Sequence, residues 1–85
     1  MEPEATRSRL EAIVKDFESR ASKNDGLVPA ETISVVNALL VAAKEAVPDD
    51  IVVQAVSIPQ RAKYSDLSPT LRQVTLALPM FIGMG

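Results

Sequence analysis

After Arg72 the sequence carries no further charge and runs Gln73-Val74-Thr75-Leu76-Ala77-Leu78-Pro79-Met80-Phe81-Ile82-Gly83-Met84-Gly85. Apolar surface left in water costs about 25 cal/mol per Å². Such a stretch must therefore be covered, either by the chain's own core or by a neighbour. Length limits the first option. A chain of 85 residues buries only roughly 60% of the surface that its unfolded form exposes. Chains this small commonly add a disulfide, a metal or a partner. The sequence has no Cys and no His, which removes disulfides and the usual zinc ligands. Association is the remaining route.

The clearest local pattern lies at residues 4–23. Leu10, Ile13, Val14, Phe17 and Ala21 recur at helical spacing and form one apolar stripe. Glu11 with Lys15, and Asp16 with Arg20, are acid-before-base pairs one turn apart. Pro3 suits the first turn, where its missing N–H is not needed. Asn24-Asp25-Gly26 ends this helix, with Gly26 expected in the left-handed conformation that closes a C-terminus.

A second helix is expected over 29–47, opened by Pro29, with Glu31 near its positive end. It has two neighbouring apolar stripes. Ile33, Val36, Leu40, Ala43 and Val47 form one; Val35, Leu39, Ala42 and Ala46 form the other. The polar face is narrow, which predicts a central helix whose second stripe needs a further layer. Asn37, amid apolar residues, reads either as a register-setting interface residue or as a polar edge facing solvent.

Residues 51–58 are ambiguous. Ile51, Val52, Val53, Val56 and Ile58 favour a strand, which could pair within the chain only with 74–78. Asp50, Gln54, Ser57 and Arg61 line up on a helical face, and Asp49 is a good N-cap. A short helix is the preferred reading. Residues 60–67 read as a polar loop. Ser68-Pro69 reads as a helix opening, with Ser as N-cap and Pro at the first position, which accounts for that dipeptide without invoking proline-directed phosphorylation. The expected fold is all-α: a helical-hairpin bundle of about three or four helices. Residues 1–78 would form the domain and 79–85 an apolar extension.

The chemistry-bearing residues point to few activities. The turn 21–26 has the outline of a calcium loop, but Lys23 falls on a ligand position and would repel the ion. Asp49 and Asp50 lack a third ligand and suit helix capping better. Arg61, Lys63 and Arg72 surround Tyr64 in the most basic part of the chain, yet 9 basic against 11 acidic residues give a net charge of −2. That balance predicts no general attraction to nucleic acid. Without His or Cys the common acid–base and nucleophile arrangements are missing. The glycines, at 26, 83 and 85, form no phosphate-cradling loop. No catalytic, cofactor-binding or metal-binding residue is assigned, and an enzyme is not expected.

Met1-Glu2-Pro3-Glu4 has neither the basic nor the apolar region of a secretion signal. No run approaches ~20 apolar residues, so no membrane span is expected. The expected setting is the cytoplasm or an assembled particle. The expected function is assembly: a structural subunit of a larger complex, such as a virion component, or a homo-oligomer. Its contact residues would be Val35, Leu39, Ala42, Ala46, Leu76, Leu78, Met80, Phe81 and Ile82. The competing expectations are a nucleic-acid-binding regulator of helix-turn-helix type and an accessory subunit of an enzyme.

Overall fold

A computed structural model describes residues 2–79. They form four helices: α1 (Pro3–Asn24), α2 (Ala30–Ala46), α3 (Ile51–Ala55) and α4 (Tyr64–Ala77). This is the expected all-α architecture. Residues 80–85, including most of the expected apolar extension, lie outside the described residues.

In α1, Pro3 and Glu4 occupy the first turn and Lys23 the last, each suited to the helix dipole. Leu10, Val14 and Phe17 of the stripe are buried, and Ile13 and Ala21 are half-buried. Arg20 Nε donates to Asp16 Oδ2 at 2.8 Å, the expected pairing. Glu11 does not pair with Lys15; it accepts from Arg7 Nε at 2.9 Å, one turn earlier.

The loop after α1 corrects one expectation. Asp25 ends the helix in an extended conformation (φ −68°, ψ 115°), and Gly26 has no positive φ. The cause is tertiary. Leu27 forms an antiparallel bridge with Lys63. Val28 N–H donates to Ala62 O at 2.9 Å, and Tyr64 N–H donates to Gly26 O at 3.2 Å. An extended strand-like segment satisfies these backbone groups; a left-handed turn would not.

The short element at 51–55 is helical, and the alternative pairing of 51–58 with 74–78 does not occur, because residues 74–77 belong to α4. Capping overrides the β-branched composition. Asp50, rather than Asp49, is the N-cap: its Oδ1 accepts from Val53 N–H at 3.0 Å. Gln54 Nε2 donates to Lys44 O at 2.8 Å and to Val47 O at 3.2 Å. It thereby satisfies carbonyls left free at the end of α2. Val53 is fully buried.

The last helix begins at Tyr64, four residues before the expected Ser68-Pro69 opening. Its free N–H groups are met by carboxylates. Asp66 Oδ2 accepts from Lys63 N–H at 3.1 Å. Asp25, directly after α1, accepts from both the Ser65 N–H and its hydroxyl. Ser68 is buried and Pro69 lies inside the helix. An interior proline costs up to about 3 kcal/mol through its missing hydrogen bond and ring clash, partly offset by a stiffer unfolded chain. Pro69 is exposed, so its packing is dispensable. Pro69→Ala is therefore expected to raise the unfolding free energy by about 1–2 kcal/mol, read from urea denaturation. A loss of stability would show that the ring contributes to the fold.

The Asp25 contact also sets a pH dependence. The Ser65 hydroxyl holds the Asp25 carboxyl below the ordinary aspartate range; desolvation is the next effect and opposes it, and the Ser65 N–H and then the Lys63 charge add to the lowering. The unfolded chain therefore binds more protons than the folded one below about pH 4. The stabilisation is present above that range and is lost as pH falls through the folded value. Asp25→Asn should lower the urea midpoint at neutral pH and flatten its fall as pH drops below the ordinary aspartate range. An unchanged pH profile would remove Asp25 from this role.

Packing places α1 at the centre. It lies most extensively against α4 and next against α2, while α3 touches α4 and α2. The expectation that α2 is central is thus corrected. The α1–α4 pair is antiparallel. Arg7 Nη1 donates to Leu78 O at one end, Arg72 pairs with Glu18 midway, and Phe17 meets Tyr64 at the other. The two rings are edge-to-face, with centroids 5.0 Å apart and planes at 71°. Leu10, Val36, Val53, Leu71 and Val74 complete the fully buried centre. Buried hydroxyls are satisfied locally: Thr75 Oγ1 donates to Leu71 O at 2.7 Å.

Candidate functional site

The expected contact residues fall into three groups. Leu39 and Leu78 are in the chain's own core, 5% and 2% exposed. They belong to one core cluster with Leu10, Val14 and Phe17 of α1. Ala42 and Ala46 are half-buried on α2, with Ala46 packed against the core. Val35 and Leu76 are on the surface, 54% and 65% exposed. Met80, Phe81 and Ile82 lie outside the described residues.

Val35 and Leu76 do not share a patch. Val35 lines a shallow groove between α1 and α2, with Ala12, Ile13 and Phe17 as its apolar floor and Asp16 and Glu31 on its rim. Leu76 lines a second groove, between α1 and α4, whose walls are Arg7, Glu11, Lys15, Glu18 and Arg72. In that groove Arg7 with Glu11 and Arg72 with Glu18 are ion pairs. The aliphatic stems of such pairs can present apolar surface while their charges meet each other or water.

Among the described residues four further large apolar side chains are more than half exposed: Leu27 (52%), Val41 (58%), Ile51 (84%) and Val52 (56%). Sequence reasoning missed them for identifiable reasons. A helix of five residues buries one position here, Val53, which leaves Ile51 and Val52 outside. Val41 falls between Asn37 and Lys44 on the outer face of α2, and these three line a groove with Val56 and Ile58. Asn37 is exposed on the isolated chain.

The basic cluster is rearranged. Arg72 lies about two turns along α4 from Tyr64 and pairs with Glu18. The cation over the Tyr64 ring is Arg20, 5.7 Å from its centroid. The hydrogen bond that Arg20 donates to Asp16, and then the Asp16 charge, hold the Arg20 guanidinium above its ordinary range, so it stays protonated. Lys23, Asn24 and Gly26 border the same hollow.

A Ser–carboxylate contact exists, between Ser65 and Asp25. Its geometry serves helix capping, and a carboxyl held below its ordinary range is a weak base. Among the described residues no group of three or more His, Cys, Asp or Glu is placed to hold a metal. Among them, too, no helix is long and apolar enough to cross a membrane. Comparison with protein-family models, with curated proteins and with solved structures returns no match.

Proposed function

We propose that this chain is a small assembly module, a non-enzymatic structural subunit that meets other protein subunits, its own copies or different ones, through apolar surface. The observation that carries this reading is that, among the described residues, six large apolar side chains are left more than half exposed: Leu27, Val35, Val41, Ile51, Val52 and Leu76. The sequence after α4 continues with the uncharged apolar stretch Met80-Phe81-Ile82. A component of a larger particle, such as a virion, or a homo-oligomer in the cytoplasm both fit. The helix-turn-helix alternative has less behind it, since a recognition helix should be basic whereas α2 and α4 carry one basic residue each, Lys44 and Arg72, and the net charge is −2.

Removing residues 79–85 tests the reading. The described helices end at Ala77, so helix content by circular dichroism should hold while association, read by light scattering, weakens at least about tenfold, on the order of 1.4 kcal/mol. A collapse of helix content with association intact would assign the segment to the core and overturn its role in contact.

A further inference from the structure

We draw no further inference here: the strongest candidate, the shallow apolar groove between α1 and α2 floored by Ala12, Ile13 and Phe17 and edged by Val35, belongs to the surface already proposed for assembly, and nothing in the structure shows what covers it.

Discussion

Phe17→Ala is expected to remove a large part of the chain's stability. Phe17 is 1% exposed and stands where α1, at the centre of the bundle, meets the start of α4. Truncation removes a buried ring and leaves a void that rigid helices close only in part, a loss of about 3–5 kcal/mol. It also removes the edge-to-face partner of Tyr64, worth about 0.5–1.5 kcal/mol in such pairs. At roughly 0.05–0.15 kcal/mol per residue, a domain of 85 residues has on the order of 4–13 kcal/mol to lose. Urea denaturation followed by circular dichroism reads the change. Phe17→Leu, which keeps most of the volume, should cost far less. If the alanine variant lost under about 1 kcal/mol, the centrality of α1 would be wrong.

Much of this fold could be read from residue spacing, because its causes are local. The stripe of α1, the opening of α2 at Pro29 and the burial of Ile33, Val36, Leu40 and Ala43 all follow from helical periodicity. What escaped the sequence depends on contacts between distant segments. The start of α4 at Tyr64 is favoured by Asp25, 40 residues away from Ser65 in sequence, so the local signal at Ser68-Pro69 misplaced it. Gly26 stays out of the left-handed region because residues 62–64 pair with its loop. The wide apolar surface of α2 predicted a central position, but periodicity does not say which helix α4 chooses. The α1–α4 contact, closed by Arg7 on Leu78 and by Arg72 on Glu18, decides it. The same choice splits the expected contact set. Leu39 and Leu78 turn inward, whereas Val35 and Leu76 stay outside on different grooves.

The second large effect is expected on association. In the triple variant Val35→Ser, Ile51→Ser and Leu76→Ser, each replaced side chain is at least 54% exposed in the isolated chain. The fold should therefore change little. Covering each of these side chains in a contact is worth about 1 kcal/mol, given about 25 cal/mol per Å² of apolar surface. Losing three contacts should weaken association by roughly hundredfold. Helix content and urea midpoint serve as controls and should stay near those of the parent chain. Undiminished association with an intact fold would move the contact surface elsewhere, with Val41 and Val52 the next residues to replace.

Both the triple variant and the truncation presuppose that an exposed apolar skin brings copies or partners together. Sedimentation equilibrium of the unaltered chain over a wide range of concentrations addresses this directly. The account predicts a mass that climbs well above the 9.1 kDa of one chain as concentration rises, or a stable complex with a co-purifying subunit. A steady 9.1 kDa at every concentration, with no partner retained, would contradict it.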